Sequence, residues 1–263
     1  RKLTMTFRIQ TNVQSLNAQR NLGLSTEANN LSMERLSSGY RINKASDDAA
    51  GLAISEKLRA DYRSLVTARR NANDGVSLLQ TAEGGLNEIG SILIRLRELS
   101  VQGASDTIGN TERGFLNKEF SQLKDEITRI SKTVEFNGTL LLVGNSDVPN
   151  ALRSNANNFP LDIHVGKNYH DEVDNKDNKN PVDVIRIDLG EVDATVGSDG
   201  LGLGTSEEDD ISSVSTKDMS QKSLSVIDAA LTKVSGYRST MGAIQSRLAS
   251  TTNQLSIQLE NNA

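Results

Sequence analysis

The chain has 263 residues, of which 36% are hydrophobic and 3% aromatic, with no tryptophan and no cysteine. That length allows one or two domains, the scarcity of aromatics argues for thin helical layers over a thick globule, and disulfides and thiolate metal sites are excluded. A net charge of −5 supplies no electrostatic case for nucleic acid or an acidic membrane surface as partner.

Three prolines in the whole chain favour long uninterrupted helices. No apolar run approaches the roughly 18 residues of a membrane span. The N-terminal residues lack the apolar stretch of a secretory signal peptide; if the chain leaves the cell, it does so by another route.

Residues 9–38 read as a helix, with Ile9, Val13, Leu16, Leu24, Ala28 and Leu31 on one face. Arg20 and Arg35 interrupt that stripe and weaken it. From 58 to 96 the signal is strong. Leu58, Leu65, Ala72, Leu79, Leu86 and Leu93 recur every seven residues, with Ala68, Gly75, Ala82, Ile89 and Leu96 at the second heptad position and Asp61 as its exception. Sustained periodicity of this kind marks a coiled-coil seam. At 1.5 Å per residue it would run roughly 60 Å, too long for a small globule. The small residues at the second position are expected to let a partner helix approach closely.

A third helix fits 112–135, through Leu116, Phe120, Leu123, Ile127, Ile130 and Val134, and the turn chemistry of Asn137–Gly138 stops it. A fourth fits 219–260, through Leu224, Ile227, Leu231, Val234, Met241, Leu248, Leu255 and Leu259, with Arg238, Gln245 and Thr252 as polar exceptions. Between them, 143–216 alternates instead. Phe159, Leu161, Ile163 and Val165 share one face, and Val184 and Arg186 oppose Ile185, Ile187 and Leu189. These are strand-like runs separated by Gly- and Asn-rich turns. The expected fold is mainly α with a small β insertion, a long antiparallel helical bundle or coiled coil of elongated form.

Candidate chemistry is sparse. His164 and His170 lie near several acids, but their spacing fits no zinc motif. A calcium loop read from Asp174 lacks its sixth-position glycine and places Ile185 where the bidentate Glu belongs. Gly200–Gly204 ("GLGLG") mimics a dinucleotide fingerprint, yet no amphipathic helix follows and the acidic "TSEEDD" would repel phosphate; it reads as a flexible turn. The sequons at Asn30 and Asn137 fall inside or at the end of predicted helices, where chance matches are common. The basic pairs Arg69–Arg70 and Arg95/Arg97 read as solvated or partner-facing helix edges. No nucleophile–histidine–acid set is readable. The expectation is a non-enzyme with no cofactor and no metal.

Several stretches together carry a family resemblance. "TNVQSLNAQRNL" (11–22), "RLSSGYRINKASDDAAGLAIS" (35–55), "ARRNANDGVSLLQTAEGGLNEI" (68–89), "IRLRELSVQGA" (94–104) and "EFNGTLLL" (135–142) resemble the N-terminal half of bacterial flagellin. "LSVIDAALTKVSGYRSTMGAIQSRLASTTNQL" (224–255) is similar to its C-terminal helix. The resemblance implies a filament subunit that assembles with other flagellin subunits, is exported through the flagellum's own type III apparatus, and meets cap and junction proteins. It divides the chain into an inner-core helix and joint (1–45), a bundle domain (46–142 and 217–263) and a variable, surface-exposed β insertion (143–216). Residues 1–4 look like a vector remnant or a mis-assigned start. Flagellins normally continue through a terminal helix that pairs with the first, so residues 5–40 are expected to pack on another subunit or to be poorly ordered.

The resemblance also suggests a subunit interface that doubles as a ligand of the innate Toll-like receptor that senses flagellin, carried by Arg95, Leu99 and Glu119. Arg95 and Leu99, four apart, would share a helix face. The rivals are a hook–filament junction protein, a flagellin with enzymatic cargo in its insertion, and a generic coiled coil. Cargo would need a metalloprotease signature between 143 and 216, and a generic coiled coil leaves 35–55 unexplained.

That stretch, 35–55, reads as an assembly joint. Gly39 ends the first helix, with Arg41 and Lys44 near its negative end. Ser46 is the expected N-cap of the next helix, with Asp47 and Asp48 in its first turn. Ala49, Ala50, Gly51 and Ala53 would let another backbone lie close, so bulk at Gly51 is expected to impair assembly more than folding.

Overall fold

The computed structural model describes residues 12–144, 160–168, 183–197, 200–204 and 212–262. Two compact units divide the chain, Arg1–Ala60 and Asp61–Ala263. Four helices account for most of the described residues: α1 (Val13–Ser38), α2 (Ala49–Gly103), α3 (Asn110–Thr133) and α4 (Lys217–Asn262).

In the first unit α1 starts at Asn12, whose side chain accepts from the Ser15 backbone N–H, and ends at Gly39. Gly39 has φ 74° and returns its N–H to the Arg35 carbonyl, the left-handed stop that glycine adopts without strain. The weak stripe has its structural counterpart here: α1 buries none of its residues.

The second unit is organised by the seven-residue rows of α2. Leu65, Ala72, Leu79, Leu86 and Leu93 are buried, as are Ala68, Gly75, Ala82, Ile89 and Leu96, and the burial continues through Leu99, Ser100 and Gly103. Leu58, in the first unit, is the exception at 42% exposure. Helix α4 runs antiparallel along this seam. Leu255 and Leu259 cluster with Leu65 and Ala68, Leu248 meets Gly75, and Asp228 pairs with Arg97. The polar exceptions of α4 have a purpose, since Gln245 and Arg238 both reach Glu83 of α2, at 3.1 and 3.9 Å.

Helix α3 folds back on α2 through a staple that the apolar pattern did not flag. Arg113 is buried and donates to the Gly103 and Ser105 carbonyls and to Asn110 Oδ1. It thereby satisfies carbonyls that the end of α2 leaves open. After α3, β1 (Glu135–Phe136) and β2 (Thr139–Leu140) pair antiparallel, Phe136 opposite Thr139. Asn137 and Gly138 form the two-residue turn at φ 51° and 78°, the positive angles that favour Asn-Gly there. Leu141 and Leu142 then enter the core fully buried.

The alternating segment supplies a second hairpin, β3 (Leu161–His164) against β4 (Val184–Ile187). For the described residues, the expectation of a surface-exposed insertion is corrected. Val165, Ile185, Ile187, Leu189, Val192, Leu201, Leu203 and Val214 share one core with α2, α3 and α4. Polar ties hold them: Asn71 Nδ2 donates to the His164 carbonyl, Lys233 Nζ to Gly200, and Asn117 Oδ1 accepts from the Val214 N–H. The "GLGLG" run is a turn, with Gly202 and Gly204 at positive φ, but buried Leu201 and Leu203 pin it. Phe159 and His170 lie outside the described residues.

The small residues on the buried face of α2 also act differently from expectation. A Cβ on Gly75 would stand 2.8 Å from Ile163, one on Gly85 2.8 Å from Leu142 and Val134, and one on Gly103 would collide with Val214. The glycines receive side chains from the connecting segments as well as from the partner helix. Gly90, by contrast, has nothing within 4 Å of such a Cβ. Gly103→Ala should therefore destabilise the chain by about 1–3 kcal/mol through overpacking. Gly90→Ala should stabilise it by about 0.5–1 kcal/mol through helix propensity. Urea unfolding of the two variants reads both signs, and equal effects would refute the socket assignment.

Candidate assembly sites

Two places in the chain gather the residues singled out from sequence, one in each unit. In the first unit, residues 39–51 form a turn held by side-chain carboxylates. Asp47 Oδ2 accepts from the backbone N–H groups of Asn43 and Lys44, at 3.2 and 3.3 Å. These two bonds lower the Asp47 pKa below the ordinary carboxylate value, because they favour its charged form. Asp48 Oδ1 accepts from the Gly51 N–H at 2.9 Å, and the Asp48 carbonyl receives the Leu52 N–H. Asp48 is thus the N-cap of α2, correcting the assignment of that role to Ser46 and of both aspartates to the first turn. Lys44 bonds Glu34 of α1 at 2.9 Å, so its charge is satisfied by a carboxylate, which raises the Lys44 pKa.

Gly51 is also reassigned. A Cβ there would stand 2.5 Å from Asp48 Oδ2 and 2.8 Å from Ile42 Cδ1. The glycine makes room for the cap and for Ile42 within this chain. A bulky residue at Gly51 would disturb the joint's own folding directly, against the expectation that assembly would suffer more than folding. Arg41 and Ala49, Ala50 and Ala53 are exposed.

In the second unit, Arg95 of α2 bridges two acids. Its Nε and Nη2 donate to Glu119 Oε1 of α3, at 3.0 and 2.8 Å, and Nη1 donates to Glu98 at 3.0 Å. The Glu119 bond is the larger cause holding the guanidinium still more firmly protonated. All three side chains are about half exposed, so the cluster fixes a charge pattern on the surface and contributes little stability. Leu99 does not join it. At 1% exposure it lies in the core, so the three-residue set reduces to Arg95 and Glu119. Arg97, paired with Asp228, ties α2 to α4.

Among the described residues no group of three or more His, Asp or Glu is placed to hold a metal ion. No helix among them is long and apolar enough to cross a membrane. The functional residues that sequence reasoning missed are Arg113, Asn43 and the buried Lys124, which donates to the Ser212 carbonyl. Arg113 was within reach, since it lies seven residues before Phe120 and so continues the buried row of α3.

Long helices that bury heptad rows, with hairpins docked on them and surface charge clusters, define a structural scaffold protein. The chain matches the N-terminal helical region of bacterial flagellin over residues 9–147 and the C-terminal helical region over 224–262. It is 38% identical over 253 residues to a flagellin of Halalkalibacterium halodurans, covering 96% of this chain and 81% of the relative. A Bacillus subtilis flagellin is 38% identical over 263 residues, covering 97% and 84%. The crystal structure of Bacillus cereus flagellin superposes with a TM-score of 0.52 at 26% identity, over 71% of this chain and 88% of that one. A flagellar hook-associated protein of Vibrio parahaemolyticus shares the fold at 16% identity, TM-score 0.57, over 81% and 94%. The chain belongs to the bacterial flagellin family. It is a structural subunit of the flagellar filament and not an enzyme.

The Asp47 contact has a definite pH sign. Its folded pKa is lowered, so its stabilisation is present above the unfolded carboxylate value and is lost as pH falls through the folded one. The protection factors of the Asn43 and Lys44 amides, which divide out the intrinsic pH dependence of exchange, should fall as acid protonates Asp47. Asp47→Ala, which removes the acceptor, should show low protection at both amides already at neutral pH, with most of that pH dependence gone. Unchanged protection in the variant would refute the contact.

Proposed function

We propose that the subunit polymerises with other copies of itself through α1, and that residues 39–51 connect this inner helix to the bundle. The observation that carries this is the state of α1 itself. Its Val13, Leu16, Leu22, Leu24, Met33 and Leu36 are each more than half exposed. An isolated helix with no buried face gains little from propensity alone, and exposed apolar side chains in number mark an interaction surface. The family implies the occupant, namely neighbouring subunits at the filament's inner wall. Delivery through the flagellar type III apparatus, contacts with cap and junction proteins, and an extracellular location are part of the same proposal, with family membership as their support. The hook–filament junction alternative has likeness of fold alone behind it, whereas relatives named flagellin cover most of the chain.

Leu16→Glu and Leu24→Glu should each abolish or strongly reduce polymer in sedimentation and negative-stain microscopy. The melting of the second unit should stay unchanged. Full polymerisation of both variants would sink the proposal.

The exposed Arg95–Glu119 pair supports a second role, as the charged part of a surface read by the flagellin-sensing Toll-like receptor. Monomeric chain applied to reporter cells should signal, and Arg95→Ala or Glu119→Ala should weaken the response. Silence from the unmodified monomer removes this role.

A further inference from the structure

The sequon Asn137–Gly138–Thr139 is not at a helix end. It occupies the tip of the β1–β2 hairpin, after α3 has stopped at its C-cap, Val134. Asn137 and Gly138 are exposed, with both backbones at positive φ. Among the described residues no hydrogen bond engages the side chain of Asn137 or the hydroxyl of Thr139. The strand register places half-buried Phe136 opposite Thr139, so the tip has an aromatic ring on one side and a free hydroxyl on the other. Downstream, Leu141 and Leu142 are buried, so the hairpin is anchored while its tip remains open to solvent.

The second sequon, at Asn30, makes an internal contrast. It lies within α1, and the Ser32 hydroxyl that completes it donates to the Ala28 carbonyl at 2.8 Å. Using that sequon would require surrendering this bond and opening the helix around it. The two tripeptides satisfy the same rule of composition, and local structure separates them.

We propose that Asn137 is an acceptor for an N-linked sugar delivered by a transferase from a nucleotide- or polyprenyl-phosphate-activated donor. In the transfer, Asn137 Nδ2 forms a bond to C1 of the sugar as the bond from C1 to the donor's phosphate oxygen breaks. The phosphate leaves with the electron pair, and an amide proton passes to a base of the transferase. The product places a bulky, solubilising group at the hairpin tip without displacing any side chain of the core.

The test treats the purified folded chain with a sequon-specific bacterial N-glycosyltransferase and UDP-glucose, followed by peptide mass mapping. Hexose is expected on Asn137, with occupancy at Asn30 lower by about tenfold, the factor that one ordinary hydrogen bond is worth. Thr139→Ala should lose the modification while its circular dichroism melt remains that of a folded chain. Short synthetic peptides carrying each sequon, which lack the folded context, should be modified without preference. An unmodified Asn137 under conditions where a control sequon peptide is glycosylated overturns the proposal. So does equal occupancy of the two sites in folded protein.

Discussion

Every element of the second unit depends on how closely chain can approach the backbone of α2. A helix surrounded by two other helices and two hairpins cannot present large side chains in every direction. Its buried face solves this by mixing leucines with alanines and glycines. At Gly75, Gly85 and Gly103 the neighbouring side chain occupies the volume where a Cβ would lie. Each glycine costs about 0.5–1 kcal/mol relative to alanine in a helix. Full burial of a Val, Leu or Ile contributes about 1.5–3 kcal/mol. The exchange favours the glycine wherever a side chain such as Leu142 or Val214 seats in the gap.

The same balance explains what could be read from sequence. Period seven is a property of one chain, so the buried rows of α2 and α4 were legible from residue spacing, whereas their antiparallel pairing is fixed by contacts such as Leu65 with Leu255 and Arg97 with Asp228. The occupants of the gaps belong to segments far away in sequence, so Gly75 could be called small but not assigned to Ile163. Leu99 failed for an angular reason. Residues four apart differ by about 40° around a helix, and at the margin of a buried stripe that separates an exposed Arg95 from an interior leucine. The N-cap failed for another. Ser46 and Asp48 are both good caps by residue type. The structure selects Asp48, with Asp47 already accepting from Asn43 and Lys44. Arg113 and Lys124 were passed over because an apolar pattern does not count cations, although both lie on the buried side of α3.

The two units are stabilised by different physics. The second is held by contiguous apolar burial, with ion pairs such as Arg95–Glu119 adding pattern more than energy. The described part of the first unit holds its turn by hydrogen bonds: the Gly39 stop, the Asp47 and Asp48 carboxylates, and the Lys44–Glu34 bridge. Bonds exposed to water contribute modestly, because folding exchanges them for bonds to solvent.

That difference bears on when α1 becomes ordered. A 26-residue helix loses conformational freedom at about 1–2 kcal/mol per residue on ordering, and α1 recovers none of that through buried side chains of its own. Its stability therefore has to come from partners. If those partners are neighbouring subunits, as proposed, ordering of α1 and addition to the filament become one coupled step, whose affinity is lowered by the ordering cost. The joint reduces that cost. Gly39 and Asp48 fix where one helix ends and the next begins, which on the proposed role would limit the directions open to α1 before a partner is met. Preorganisation of this kind strengthens association without adding a contact. On the proposed role of α1, the carboxylate-held turn and the bare helix would form one device, a small polar network beside an apolar surface kept for assembly.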